Sequence, residues 1–334
     1  MATYYFMGGE DHDFTKFGVC SVDTNTAFRR SANTRCSLLV GSSNGATDGW
    51  GGALSSPQST LWLTARVFAS QVSASTACDL VSFSDSGAVR RLAVRTNGSS
   101  TVLTIAKRNA AGTYTTLATS SYTLPLGAVQ KIDVAVTYGT SGKVDVYIEG
   151  TLVATYSGDI TTDGNTALSS FTVGCAAIGG SSGTYWSEVI CSDSDTRDLS
   201  LVTMAPTANG NTFGWDAGSV TSINETTLND TTVITSGTTG QLAQFTVGSS
   251  GITGNNAIKA VCISARAVKG GTGPQNIRMN VRTGGTNSNS AAIALPAALG
   301  RIQNVFATNP VTASNWVGTD LTAAGFNIGV QSET

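Results

Sequence analysis

A chain of 334 residues is too long for one ordinary β-sandwich and fits two domains, each large enough to bury a continuous core without covalent staples. Only 12% of its residues are charged, about half the roughly 25% usual for soluble domains, and 38 glycines with abundant Ser, Thr and Asn fill the vacant surface. Nineteen basic residues against 21 acidic ones leave a net charge of −2, which excludes the electrostatic footprint of a nucleic-acid binder.

The N-terminal segment MATYYFMGGEDHDF has no basic stretch leading into an apolar run, and no later segment offers the ~18 uninterrupted apolar residues of a membrane span. The expectation is a soluble protein made in a cytoplasm. The acidic cluster Glu10, Asp11, His12, Asp13 offers, through its carboxylates, oxygen ligands of the kind calcium takes, although its spacing matches no known calcium loop. Six cysteines (Cys20, Cys36, Cys78, Cys175, Cys191, Cys262) lack C-x-x-C spacing, and the single histidine leaves a zinc site short of ligands. They read as buried free thiols, with a Cys20–Cys36 bridge as the alternative.

From residue 61 the pattern is period-two with turn punctuation, the signature of antiparallel strands that bury one face. LWLTARVFA, CDLVSFSD, RRLAVRT, TVLTIAKRN and YTTLATS follow one another closely. After Pro125 and Gly127, KIDVAVTY places Ile132, Val134 and Val136 on one face with Lys131 and Asp133 on the other. KVDVYIEG buries Val144, Val146 and Ile148, and Glu149-Gly150 turns tightly into TLVATYSG. FTVGCAAIGG is expected to return as a core strand, and YWSEVICSD to close the sandwich against the N-terminal segment.

Past Asp198 the strand pattern continues in a second module. LSLVTMAP leads to a polar loop over residues 208–214, followed by strands in QLAQFTVG, AIKAVCISARAVKG, QNIRMNVRTGG and GRIQNVFATNP. AIKAVCISARAVKG is apolar on both faces, which predicts a central strand. NWVGTDLTAAGFNIGV predicts one short helix, with Thr319 as N-cap, Asp320 in the first turn and Gly325 as its stop. The fold class is therefore all-β: two jelly-roll-like sandwich modules, over residues 1–199 and 200–334, with one short C-terminal helix.

The DVYIEGTLVATYSG pattern resembles the laminin-G and concanavalin-A-like jelly rolls over roughly residues 50 to 195. The later half resembles a family of tailed-bacteriophage and prophage structural proteins, through SEVICSDSDTRDLSLVTMAP, WDAG, IKAVCISARAVKGG, RTGGT and ATNPVTASNWVGTDLTAAGFNIGV. Trp186, Asp195-Thr196-Arg197, Pro206, Ala265-Arg266, Arg282, Gly284-Gly285, Asn309-Pro310, Trp316 and Gly329-Val330 are its landmarks. That resemblance implies a virion structural protein, such as a collar or neck spike, a tail-fibre component or a tail appendage, that binds other virion proteins. Its alternatives are a capsid decoration protein and a lectin-like module recognising host-surface glycan. It also implies location in the virion after assembly in the host cytoplasm. Homo-oligomers, a trimer foremost, are expected because closed cyclic assembly is the common arrangement of repeated protomers.

Candidate chemistry is sparse. No G-x-S-x-G motif or Ser/His pairing marks a hydrolase, so catalytic residues are expected to be none. Glu149, Asp145, Glu188 and Asp133 are the carboxylates a glycosidase could draw on, but Asp133 and Asp145 fall at alternation positions that read as solvated surface, and depolymerase activity is not expected. Asp193, Asp195 and Asp198 form a candidate calcium site, weighed against Asp195 capping a turn and Arg197 pairing with a neighbouring carboxylate. No other cofactor is implied. Among the tryptophans, Trp62 and Trp186 read as core, whereas Trp50 and Trp215, in Gly-rich surroundings, are the candidates for stacking on sugar rings.

Overall fold

The structure is a computed structural model that describes all residues except 1, 29–33, 41–47, 71–76, 98–99, 175–182, 249–251, 255 and 323. It divides into two compact units, Ala2–Leu201 and Val202–Thr334. Both are built of antiparallel β-strands, so the all-β sandwich class expected from the alternation is the observed one.

The first unit contains β1 (Tyr4–Gly8), β2 (Thr15–Phe17), β3 (Cys20–Asp23), β4 (Ser37–Val40), β5 (Gly49–Gln58), β6 (Thr60–Ala69), β7 (Asp79–Ser84) and β8 (Arg90–Thr96). These are followed by β9 (Val102–Arg108), β10 (Tyr114–Thr123), β11 (Val129–Thr137), β12 (Gly142–Ile148), β13 (Thr151–Gly158), β14 (Leu168–Val173) and β15 (Thr184–Ser192). One sheet runs β13-β12-β11-β6-β15-β4-β3, with β1 also paired to β15; the other runs β10-β9-β8-β7-β14-β5-β2. Period-two alternation sends Ile132, Val134, Val144 and Val146 inward from the first sheet, and Phe83, Leu92, Val94, Ile105 and Phe171 inward from the second. Each such side chain contributes about 1.5–3 kcal/mol when fully buried, so this core alone outweighs the sparse surface electrostatics. Phe6 packs at 5.0 Å from Phe14 and 4.9 Å from Phe171, centroid to centroid, tying β1 to the second sheet. The β12–β13 turn is the expected Glu149-Gly150 pair, with φ of +47° and +78°, the left-handed values that a two-residue hairpin of matching twist requires.

The second unit contains β16 (Pro206–Phe213), β17 (Leu242–Val247), β18 (Val261–Ala267), β19 (Asn276–Thr283), β20 (Thr286–Asn289), β21 (Ile293–Ala294), β22 (Gly300–Phe306), α1 (Gly318–Thr322) and β23 (Asn327–Glu333). A sheet of order β16-β17-β23-β19-β20, with β21 on β19, faces a core of Phe245, Met279, Val281, Trp316 and Phe326. Three sequence expectations change here. The polar stretch 208–214 is largely strand, because β16 pairs with β17 and its side chains remain in water. The strand AIKAVCISARAVKG is not central: among the described residues β18 pairs with β22 alone, and most of its residues stay half-buried. The helix opens at Gly318, before Thr319, with the Asp320 carboxylate accepting the Val317 N–H at 3.0 Å.

Cys20, Cys36, Cys78, Cys191 and Cys262 are free thiols, so the alternative Cys20–Cys36 bridge is not formed; Cys175 lies outside the described residues. Cys36 is held by the Gly9 carbonyl, and Cys20 lies 3.3 Å from each of the Phe17 and Gly49 carbonyls.

Candidate functional site: the outer face of the second sheet

The strand register of the second sheet aligns one residue from each strand in a lateral row on the face turned away from the core. Thr15 pairs with Gly51, Gly51 with Thr172, Thr172 with Ser82, Ser82 with Ala93, Ala93 with Ala106 and Ala106 with Thr116. Seven strands at about 4.8 Å spacing make this row roughly 29 Å long. None of its members carries a side chain larger than threonine, so larger neighbours can fold down onto the sheet instead of standing away from it.

Phe17 does this at one end. Its ring turns an edge to Gly51, where an added Cβ would come within 2.4 Å of Cε2 and 3.3–3.4 Å of the two carbons beside it, and yet the residue remains 42% exposed. Gly51 is therefore the seat of an aromatic ring that stays partly open to solvent.

Tyr114 does it at the other end. From edge strand β10 its hydroxyl donates to Asp79 on β7, three strands away. Three spacings in a flat sheet are about 14 Å, further than a tyrosine and an aspartate reach end to end, so the sheet curls toward this side. In crossing, the ring passes over Ala106 and Ala93, which are fully buried although neither belongs to the sandwich core. Arg95 places its guanidinium 3.5 Å from the Tyr114 ring centroid and donates from Nε to Asp79 at 2.5 Å; Arg90 donates to the other Asp79 oxygen at 3.0 Å. Arg108 stands 5.3 Å from the same ring, with Nε donating to the Gly112 carbonyl at 3.2 Å. Burial, and then the negative charge of Asp79, push the Tyr114 hydroxyl up to about 12, so it is a fixed donor across the physiological range. This face offers an exposed aromatic ring, a run of small residues and a positively charged cluster of hydrogen-bond donors.

The residues singled out in the sequence lie elsewhere. Trp50 does not face solvent in a Gly-rich loop. It sits on β5 with no exposed surface, its indole N–H donating to the Leu39 carbonyl at 3.2 Å, because the strand's alternation turns Gly51 outward and Trp50 into the core. It cannot stack on a sugar. Trp215 is half-buried against the second core and donates to the Gln241 carbonyl at 3.1 Å. Trp62, expected in the core, instead faces outward from the first sheet, stacked on Tyr147 at 5.9 Å with Arg197 over both rings.

Asp193, Asp195 and Asp198 do not converge, and no group of three metal-ligating side chains occurs among the described residues. Asp193 accepts the Thr3 N–H and the Ser194 hydroxyl, while Asp195 accepts the Arg197 N–H at 2.9 Å and grips its guanidinium. In the acidic cluster near the N-terminus, Glu10 is paired with Arg35 and Asp11 with Lys16, and Asp13 accepts the Gly9 and Glu10 N–H groups.

Asp133, expected on a solvated face, has no exposed surface, because residues 193–199 cross the outer face of the first sheet and cover it. The Thr64 hydroxyl donates to Asp133 at 2.5 Å and lies 2.6 Å from the Thr196 hydroxyl. Lys131 Nζ stands 3.6 Å from Asp133 and donates to the carbonyls of Thr196, Arg197 and Leu199. Burial pushes the Asp133 carboxyl up and the Lys131 ammonium down. Arg66, 4% exposed in its side chain, lies between Glu188 and Glu149 at 3.6 and 3.7 Å. Asp145 is held by Lys143 at 2.7 Å and by the Thr155 hydroxyl at 2.6 Å. The carboxylates considered for glycoside hydrolysis are thus fixed in ion pairs and hydrogen bonds of this face.

No protein-family model matches the chain, and no curated relative does. Solved structures do. An endo-β-1,4-glucuronan lyase of the fungus Trichoderma reesei is 14% identical, with a TM-score of 0.42 over 57% of this chain and 96% of its own. An alginate lyase in complex with an alginate trisaccharide is 15% identical, with a TM-score of 0.34 over 56% of this chain and 96% of its own. Domain 4 of an extracellular arabinanase from Geobacillus stearothermophilus, in complex with arabinotriose, is 15% identical, with a TM-score of 0.36 over 59% of this chain and 82% of its own. At these identities the likeness is one of β-sandwich fold. The expectation of a bacteriophage virion structural protein, in collar, neck, tail or capsid, is corrected here: the structures just named are two polysaccharide lyases and an arabinanase domain, none of them a virion protein, and what they share with this chain is the β-sandwich fold alone.

Proposed function

We propose that residues 2–201 form a glycan-binding module that holds an extended saccharide along the outer face of its second sheet. The observation that carries this reading is Phe17, an exposed ring set by its edge against Gly51 at one end of a row of small residues roughly 29 Å long, about six strand spacings, with the Arg90–Arg95–Arg108–Tyr114–Asp79 cluster on the same face of the sheet. A pyranose presents an apolar C–H face and a polar rim, and an aromatic platform beside hydrogen-bonding side chains answers both. The module binds and does not cleave. Tyr114 is too firmly protonated to act as a base near neutrality, and the single histidine, His12, lies against Glu10 and Asp13, away from the cluster.

Phe17→Ala tests the reading. Affinity electrophoresis against a panel of neutral and acidic polysaccharides should show retardation of the wild-type chain. The variant should lose about tenfold in affinity, with its melting temperature unchanged within about 2 °C, because an exposed ring contributes little to folding. A wild-type chain that no polysaccharide retards, or a Phe17→Ala variant retarded equally, sinks it.

A further inference from the structure

Resting on that reading, we infer that the glycan is an acidic one, and that Arg108 is the residue that meets its carboxylate or sulfate groups. The inference comes from the charge and donor balance of the cluster. The cluster holds three guanidinium groups and one carboxylate: Arg90, Arg95 and the Tyr114 hydroxyl already take both oxygens of Asp79, and Arg108 stands on the Tyr114 ring. Two positive charges are left over on a chain whose net charge is −2, so the excess is local to this face. A guanidinium has five donors and no acceptor, whereas the hydroxyls of a neutral sugar call for donors and acceptors in comparable number. A cluster so short of acceptors is matched by a ligand that brings its own acceptors as anions.

Arg108 is the member of the cluster with no ion pair to a carboxylate among the described residues, and it is not loose. The 109–113 turn folds back at Gly112, φ +87°, so that the Gly112 carbonyl takes Nε at 3.2 Å, while the Tyr114 ring flanks the guanidinium. Held at Nε, it keeps its two terminal nitrogens as a planar fork, the geometry that pairs with a carboxylate or sulfate through two parallel hydrogen bonds. Lysine in its place would keep the charge and lose the fork.

Isothermal titration of the full chain with polygalacturonate, dextran sulfate and neutral dextran tests this, at low and at high sodium chloride. The expected result is binding of at least one polyanion tenfold or more tighter than dextran, weakened by salt as an exposed charge pair must be. The carboxylate and sulfate arms identify which anion the fork accepts. Arg108→Ala should lower affinity for that polyanion about tenfold, equal to about 1.4 kcal/mol, and Arg108→Lys should recover part of it, so that a variant with altered folding cannot decide the outcome alone. Dextran bound as tightly as either polyanion, or an Arg108→Ala variant that binds the polyanion undiminished, overturns the inference and leaves the glycan reading standing. Absence of binding to all three polymers, with no retardation across the wider polysaccharide panel, removes both.

Discussion

The two outer faces of the first module began as the same sequence pattern and ended as opposites. On the first sheet, Lys131, Asp133 and Arg66 stand at outward alternation positions; on the second, Arg95 and Arg108 do, joined by Arg90 across a register shift. The first face is sealed by residues 193–199, which bring backbone carbonyls to Lys131 and a hydroxyl to Thr64, so its charges serve folding. Among the described residues the second is crossed by its own side chains, Tyr114 reaching Asp79 and Arg95 lying against the Tyr114 ring, so that Arg108 is left half-buried beside that ring where a ligand can reach it. Charge at an outward strand position therefore has no fixed meaning; what passes over it decides.

The largest effect that separates the two faces should come from Asp133→Ala. With Asp133 gone, Lys131 keeps its carbonyls but loses the buried negative charge 3.6 Å away, and Thr64 loses its acceptor. Removing one partner of a buried ion pair typically costs about 3–5 kcal/mol, because the other charge is left in a low-dielectric setting. Urea unfolding of the variant should show that loss, with polysaccharide binding by the remaining folded protein unaffected. A loss below about 1 kcal/mol would mean that water reaches this face and that the seal is not one.

An intermediate effect belongs to Tyr114→Phe. The hydroxyl's bond to a carboxylate contributes about 1.5 kcal/mol at neutral pH, tempered because Arg90 and Arg95 still hold Asp79. Its pH signature is distinctive. The phenol titrates near 10 in the unfolded chain and at about 12 here, so the folded state prefers the neutral form; that contribution is intact below pH 10 and is lost as pH rises from about 10 through about 12. An alkaline absorbance titration of wild type minus variant should isolate one phenol ionising near 12. A difference curve centred at 10 would show that the crossing over the sheet is not made.

Much of the strand scaffold was legible, because hairpin alternation is local: TLVATYSG and the Glu149-Gly150 turn follow from a few consecutive residues. The site was not, for a reason of range. Phe17 lies in a three-residue strand within a polar segment, and nothing near it in sequence reveals that Gly51, 34 positions on, opens a seat for its ring. The same glycine stretch drew attention to Trp50, since alternation within GWGG cannot be phased when three of four residues lack a side chain. Arg95, Arg108 and Tyr114 read as ordinary strand residues because Asp79, which gathers Arg95 and Tyr114, is identified only by the order of four strands. A partial signal did exist: Arg95 and Arg108 share one alternation phase with Ala93 and Ala106 on the neighbouring strands β8 and β9, whereas Arg90 has the phase of Leu92 and joins them only through a register shift beside it.

The smallest expected effect sharpens the comparison most. Arg197 lies over Trp62 and Tyr147, its guanidinium 5.3 and 4.5 Å from their rings, and pairs with Asp195, both side chains being more than a third exposed. It closes the sealing segment from the solvent side. An exposed pair of this kind is worth about 0.5 kcal/mol, and a cation over partly exposed rings about as much again. Arg197→Ala should therefore lower the melting temperature by only about 2–4 °C while changing the emission of Trp62, newly exposed to water. If the loss instead matches that of Asp133→Ala, the segment is held from above by its arginine clamp, and the buried Lys131–Asp133 pair is a passenger; if it is negligible, the seal is made wholly from below, by the Lys131 ammonium and the carbonyls of residues 196, 197 and 199.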